Sequence, residues 1–368
     1  MPCTNIMKKL NSILTEKTLF VGGSFDTNGG RRSKIVELFA RDLKIPANNI
    51  YNGGDYDSLE AIINKVSDYD LVFWWANVPN DLPKIRNVKE INPKALLVAS
   101  KNNINNRYEF PTLINRALGE KANLVVEFVK ESSGIYKMRV FDPLGAVWYE
   151  GTDIDECVAA LTNRLSFLFT ITRGPSVHLD SECEIEIPNE EAFFTYVKEI
   201  AETFHQIIPH DETVTRFLGN SSFRCQRGFP SFRYGNLVFV SRRNVDKRYI
   251  CKESFVPTFL ADDTVYYYGD NKPSVDTPIQ LRLYERLPNI NYMVHAHCYV
   301  EGAPFTTTPV PCGGIEEVNE VMSVIEKHTT EEFYAINLIG HGCIIMANDV
   351  SQFYGVKFIG RDVPEKFT

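Results

Sequence analysis

Met-Val-His-Ala-His, residues 293–297, is an apolar run that ends in a His-x-His pair, and it decides the expected fold of the second half of the chain. Residues i and i+2 of a β-strand project from the same face, so a strand here brings His295 and His297 together. His341 follows a second apolar run and precedes Gly342, which is typical of another strand end. Three converging imidazoles leave one open position on a tetrahedral zinc ion, as in catalytic zinc sites. Alternating histidines also occur on ordinary half-exposed strands, so the pair alone is weak evidence for a metal.

The segment before this strand reads Lys-Pro-Ser-Val-Asp-Thr-Pro, residues 272–278. Asp276 lies 19 residues before His295, and the intervening pattern predicts a helix from about Thr277 to Arg286. Pro278 suits the first turn of that helix. The carboxylate of Asp276 is therefore predicted at a helix N-terminus, next to the strand that carries the histidines.

Taken together, these motifs resemble the class II aldolase/adducin family. That family carries a proline-serine-serine-acid segment, a helix, His-x-His and a distant His-Gly. Upstream, Gly219–Arg224 resembles its glycine-asparagine-x-serine turn, and Phe232–Ser241 resembles the strand pair that follows. The resemblance covers residues 188–360, about half of the chain.

The resemblance implies an α/β/α domain with a mainly antiparallel sheet. It implies Zn²⁺, or another divalent metal, on His295, His297 and His341, and a homo-oligomer. Enzymes of the family act mostly on sugar phosphates, and the metal stabilises an enediolate. Asp276 would then be the acid/base. The aldolases usually carry glutamate at this position, whereas the ribulose-phosphate 4-epimerase branch carries aspartate, so Asp276 favours an epimerase-like site.

Three loops form the phosphate site of the family, and this chain departs from them in part. Asn220 and Ser274 match and are predicted to bind the substrate. The usual serine-glycine is replaced by Ser-Arg-Arg-Asn, residues 241–244, which predicts the loss of a glycine turn. Arg242 and Arg243 would compensate, because a guanidinium binds phosphate or carboxylate in bidentate fashion. The alternative is two solvated arginines in a hairpin.

Composition sets the outer limits. The 368 residues allow two domains, and 44% hydrophobic with 23% charged residues is typical of globular proteins. The net charge of -8 argues against a nucleic-acid partner. The eight cysteines contain no C-x-x-C pair, which favours reduced cytosolic thiols. No apolar run approaches the length of a membrane span and no signal peptide is recognised, so a cytoplasmic protein is expected.

The first half alternates strands with helices, which predicts a doubly wound, Rossmann-like parallel sheet. The loop Gly22–Gly30 follows the first strand and is either an anion cradle or an ordinary loop that needs positive φ. Trp74 and Trp75 end another strand and either stack on a ligand ring or pack in the core. The predicted domains are residues 1–178, with an unknown ligand, and residues 179–368, which bind the metal.

Two function classes follow. The first is a zinc-dependent lyase (aldolase) or epimerase acting on a phosphorylated or acidic sugar. The second is a non-enzymatic, adducin-like binding or scaffold protein with a ligand-binding N-terminal domain. The second is disfavoured because three histidines and an acid are present together.

Overall fold

The computed structural model describes residues 17–24, 34–52, 56–77, 88–104, 109–172, 176–179, 185–208, 219–224, 237–327, 332–362 and 364–367. The chain forms two compact units, Met1–Thr172 with Val363–Thr368, and Arg173–Asp362. The sequence predicted a single division after residue 178. The structure divides the chain slightly earlier because residues 176–179 pair with the second unit's sheet, and residues 365–366 pair with the first unit's sheet.

The α-helices among the described residues are α1 (Lys34–Asp42), α2 (Tyr56–Ile63), α3 (Val88–Ile91), α4 (Phe110–Gly119), α5 (Ile154–Thr172), α6 (Glu191–Ile207), α7 (Thr277–Arg286) and α8 (Glu317–Ile325). The strands are β1 (Thr18–Ser24), β2 (Ile50–Asn52), β3 (Leu71–Asn77), β4 (Leu96–Ile104), β5 (Leu124–Lys130), β6 (Tyr136–Phe141), β7 (Ala146–Gly151), β8 (Ser176–Leu179), β9 (Asn220–Arg224), β10 (Val238–Ser241), β11 (Phe255–Ala261), β12 (Thr264–Tyr268), β13 (Tyr292–Ala296), β14 (Tyr299–Val300), β15 (Phe333–Leu338), β16 (Gly342–Ala347), β17 (Phe358–Ile359) and β18 (Glu365–Lys366).

The first unit is built on one sheet in the order β18-β7-β6-β5-β4-β3-β1-β2. Strands β2, β1, β3, β4 and β5 run parallel, whereas β6 and β7 are antiparallel additions. The order 2-1-3-4-5 is one of the doubly wound arrangements, so the predicted Rossmann-like class is confirmed. Helices α1 and α5 pack on one face of this sheet, and Phe110 of α4 contacts Phe141 on β6.

The tryptophan pair and the glycine-rich loop of the first unit were each given two interpretations from the sequence, and the structure describes only the tryptophans in full. Trp75 is fully buried and packs edge-on against Phe20, Phe39 and Phe128, so it belongs to the core. Trp74 is also buried. Most of the Gly22–Gly30 loop lies outside the described residues, and its predicted role as an anion cradle stays a prediction.

The second unit is a three-layer α/β/α domain. Its sheet has the order β15-β16-β13-β9-β10-β11-β12-β8 and is antiparallel except for the β12–β8 pair. The alternation of side chains along the strands separates two hydrophobic clusters. One contains Val294 and packs under α6, and the other contains Met293 and packs under α7 and α8. The predicted α/β/α class with a mainly antiparallel sheet is confirmed.

Candidate metal centre

The three histidines converge at one end of this sheet. His295 lies on β13 opposite Asn220 of β9 and Ile344 of β16. His297 follows the same strand, and His341 lies in the tight connection between β15 and β16. Their ring centroids are 4.5–5.3 Å apart, and one ring nitrogen of each lies within 4.8 Å of the others. The structure therefore brings together the three residues predicted as metal ligands.

Gly342 is what allows β16 to approach the histidine strand. Its φ is +149°, and a Cβ at this position would lie 2.1 Å from the carbonyl oxygen of Ala296 and 2.8 Å from Cα of His297. Any side chain would have to push these backbones apart. The His-Gly dipeptide thus has a steric cause, because the residue after His341 must be small enough for close contact.

Hydrogen bonds fix the tautomers of two of the histidines. His295 Nδ1 lies 2.8 Å from the carbonyl oxygen of Cys343, and His341 Nδ1 lies 2.7 Å from Oε1 of Glu317. Both partners are acceptors, so each Nδ1 carries the proton and each Nε2 presents a lone pair. These two Nε2 atoms are buried without a hydrogen-bond partner. A divalent cation would satisfy both, so the residues present fit a metal.

The electrostatics of the cluster differ between His295 and His341, and of these two only His295 is shifted toward the neutral form. Burial lowers the pKa of His295 to about 4; the charge of His341 adds to this effect and Asp276 opposes it. Burial also disfavours the charged form of His341, but the adjacent Glu317 carboxylate outweighs it and raises the pKa of His341. Burial raises the pKa of Glu317, against the opposing influence of His341. His295 is therefore a neutral nitrogen donor at neutral pH, which metal binding requires.

Asp276 is held beside the histidines by two donors. It is 5% exposed and occupies the N-cap of α7, as predicted. Its Oδ2 accepts a hydrogen bond of 2.7 Å from Asn220 Nδ2 and lies 3.9 Å from His295 Nε2. Its Oδ1 accepts from Cys312 Sγ at 3.2 Å. Gln280 donates to Asn220 Oδ1 and so orients that amide.

Asn220 was predicted to bind the substrate, but its side chain holds Asp276 in this structure. Its amide nitrogen and oxygen both have partners, and the residue is 2% exposed. The predicted contact between Asn220 and substrate stays a prediction. The structure adds a role that the motif did not indicate, which is to orient the carboxylate.

The two loops that carry the predicted substrate-binding residues Arg242, Arg243 and Ser274 lie next to each other. Arg242 forms a β-bridge to the residue before Ser274, and the backbone N–H of Arg243 donates to the carbonyl two residues before Ser274. Arg242 and Ser274 are half-buried, and Arg243 is exposed. Asn244 has φ +60°, a conformation that asparagine tolerates better than most residues. This loop therefore contains a left-handed residue three positions after Ser241, whereas the family's glycine follows the serine directly. The predicted loss of the glycine turn stays a prediction.

Four residues of this site were not identified from the sequence: Cys312, Glu317, Gln280 and Lys247. Lys247 begins a short 3-10 helix, and burial lowers its pKa to about 8 although Asp246 and Asp276 raise it. Glu317 is buried at the start of α8. Burial is a property of the folded chain, so no local sequence signal could have indicated any of the four.

Comparisons with known proteins agree with the C-terminal assignment. Residues 198–300 match the family model for the class II aldolase and adducin N-terminal domain. The C-terminal half therefore contains a class II aldolase/adducin domain. No curated protein matches the chain.

Among solved structures, the chain is similar to the DNA/pantothenate metabolism flavoprotein from Streptococcus pneumoniae, at 14% identity and a TM-score of 0.31, over 40% of this chain and 96% of that one. It is also similar to the C-terminal domain of the coenzyme A biosynthesis bifunctional protein CoaBC, at 14% identity and a TM-score of 0.30, over 43% of this chain and 97% of that one. None of the helices in the described parts of the chain is long and apolar enough to cross a membrane.

Proposed function

We propose that the C-terminal domain is a metal-dependent lyase of the aldolase type, or an epimerase, that acts on a phosphorylated or acidic sugar. The observation that carries this proposal is the convergence of three buried imidazoles beside a buried carboxylate. The nitrogens of His295, His297 and His341 lie within 4.8 Å of one another, and Asp276 Oδ2 lies 3.9 Å from His295 Nε2. Three nitrogen donors suit Zn²⁺ with one position left for substrate.

The metal, when bound, supplies Lewis-acid stabilisation of negative charge on a substrate oxygen. Asp276 moves the proton. Each of its carboxylate oxygens accepts one hydrogen bond, from Asn220 or Cys312, and a carboxylate oxygen has two acceptor positions. Oδ2 therefore keeps an acceptor position on the side of the histidines. Asn220 and Gln280 hold that oxygen in place, so Asp276 loses little orientational freedom when the substrate binds.

The anionic end of the substrate is proposed to lie at the loops that carry Arg242, Arg243 and Ser274. These loops meet through backbone hydrogen bonds beside Asp276, and the two arginines supply positive charge. A phosphate or a carboxylate satisfies this chemistry equally well. Homo-oligomerisation and a cytoplasmic location remain predictions.

Metal analysis followed by substrate screening tests this proposal. We expect about one zinc per chain, which chelation removes. We also expect cleavage or epimerisation of ketose phosphates or sugar acids, which NMR of the product mixture would detect. Asp276→Asn keeps the shape of the side chain and should retain the metal while losing activity about 10²–10⁴-fold, the usual contribution of general acid–base catalysis. His341→Ala should lose the metal.

Two outcomes would contradict the proposal. Stoichiometric metal in the His341→Ala protein would refute the three-histidine assignment. A wild-type protein that contains no metal and cannot be reloaded with zinc, cobalt or manganese would favour the adducin-like binding protein instead.

A further inference from the structure

A second group of donor atoms adjoins the three histidines. Cys312 Sγ, a carboxylate oxygen of Asp276 and a ring nitrogen of His341 all lie within 4.8 Å of one another. His341 belongs to both groups. Its Nδ1 is bonded to Glu317, so only Nε2 can bind a cation. One ion at a time can therefore use His341.

The hydrogen bond between Cys312 and Asp276 marks where a cation would fit. The thiol donates to Asp276 Oδ1 at 3.2 Å, so a proton lies between a sulfur and an oxygen that are both potential ligands. Replacement of this proton by a divalent cation converts the thiol to a thiolate and releases one proton to solvent. A thiolate, an imidazole and a carboxylate together favour zinc and softer ions over magnesium.

The burial of the three residues differs in a way that suits metal entry. Asp276 and His341 are 5% and 1% exposed. Cys312 is only half-buried and sits on a turn in which Gly313 has φ +82° and the Gly314 N–H donates to the carbonyl oxygen of Pro311. Two fixed donors thus lie in the interior, and the third is carried by a turn at the surface.

We propose that Asp276, Cys312 and His341 form a second cation position that takes a divalent ion softer than zinc, such as Cd²⁺, and excludes occupation of the three-histidine position. Harder ions favour the three histidines, and softer ions favour the thiolate. A functional consequence rests on the proposed function: an ion at the second position takes Asp276 as a ligand and withdraws it from proton transfer. Soft ions should then inhibit the enzyme.

The test separates the two positions with single substitutions. His297 serves only the three-histidine position, so His297→Ala in the full chain, freed of metal with a chelator, leaves the second position alone. Titration with Cd²⁺ should give one bound equivalent and near-ultraviolet absorption from thiolate-to-metal charge transfer. Bound Cd²⁺ should also protect Cys312 from alkylation by iodoacetamide, as measured by peptide mass spectrometry. Adding Cys312→Ser should remove the absorption and the bound equivalent. Adding Cys251→Ser, which changes an exposed cysteine elsewhere, should leave both unchanged.

Persistence of the charge-transfer absorption after Cys312→Ser would overturn the proposal. So would a His297→Ala protein that binds no Cd²⁺ while wild type binds it. Failure of the proposed function would be seen in a different variant. Cys312→Ser in the otherwise unchanged chain leaves only the three-histidine position, and this variant would then bind no zinc. A Cys312-dependent absorption in His297→Ala would support the second position even in that case.

Discussion

The carboxylate of Glu317 should set the metal affinity of the site through His341. The contact is 2.7 Å long, and both residues are almost fully buried. A carboxylate behind a ligating imidazole fixes its tautomer and raises its basicity, and loss of such a partner typically weakens metal binding about 10–100-fold. That range corresponds to about 1.4–2.7 kcal/mol. Glu317→Gln keeps an acceptor oxygen and should lie near the lower end, about tenfold. Glu317→Ala leaves the Nδ1–H without its acceptor and should lie near 100-fold.

Zinc affinity can be measured by competition with a chromophoric chelator at neutral pH. The control is Glu316→Gln, the exposed neighbour in the same turn, which should bind zinc as wild type does. Thermal unfolding of each metal-free variant separates a loss of ligand strength from a loss of fold. A Glu317→Gln protein that binds zinc as tightly as wild type would refute the reasoning, because the contact would then contribute nothing to the metal site.

Three further predictions concern the surrounding frame. Gly342→Ala should abolish zinc binding or folding of the second unit, since its Cβ would lie 2.1 Å from a backbone oxygen. The control Gly355→Ala is also at positive φ but has open space around it, so it should keep the metal and cost only about 1–3 kcal/mol of stability. If zinc titration shows the same loss of binding in both variants, the prediction is contradicted. Asn220→Ala should keep the metal and reduce kcat, because Asp276 loses a hydrogen-bond donor. The expected reduction is about 10–100-fold, the equivalent of a hydrogen bond to a charged group, and an unchanged kcat would disprove this. Burial lowers the pKa of His295 to about 4 from the ordinary 6.5, so between these pH values the unfolded state binds a proton that the folded state does not. The metal-free protein should therefore lose stability as the pH falls through this window, by up to about 1.4 kcal/mol per pH unit. Urea titrations in which wild type and His295→Gln show the same dependence of stability on pH would contradict this prediction.

The sequence predicted the parts of this site that depend on local periodicity. The strand repeat of two residues placed His295 and His297 on one face, and the pattern from Thr277 to Arg286 predicted the helix that begins after Asp276. The structure has the same helix bounds. These features need only the geometry of one strand or one helix.

The remaining features depend on how separate elements pack. Glu317 reaches His341 because α8 packs on the face of the sheet that carries the histidines. The orienting role of Asn220 follows from its register opposite His295. Contacts of this kind depend on register and layer packing, which no short segment encodes by itself.

The return of the chain to its first sheet has a consequence for biosynthesis. Among the described residues, strand β7 pairs with β6 on one side and with β18 on the other, where Lys366 also forms an ion pair of 2.5 Å with Glu150. A ribosome completes the whole second unit before it reaches β18. At roughly 5–20 residues per second, the nascent first unit keeps one strand edge uncovered for on the order of ten to forty seconds. Open edges template aggregation, so the nascent chain is exposed to edge-to-edge pairing with other chains during this interval.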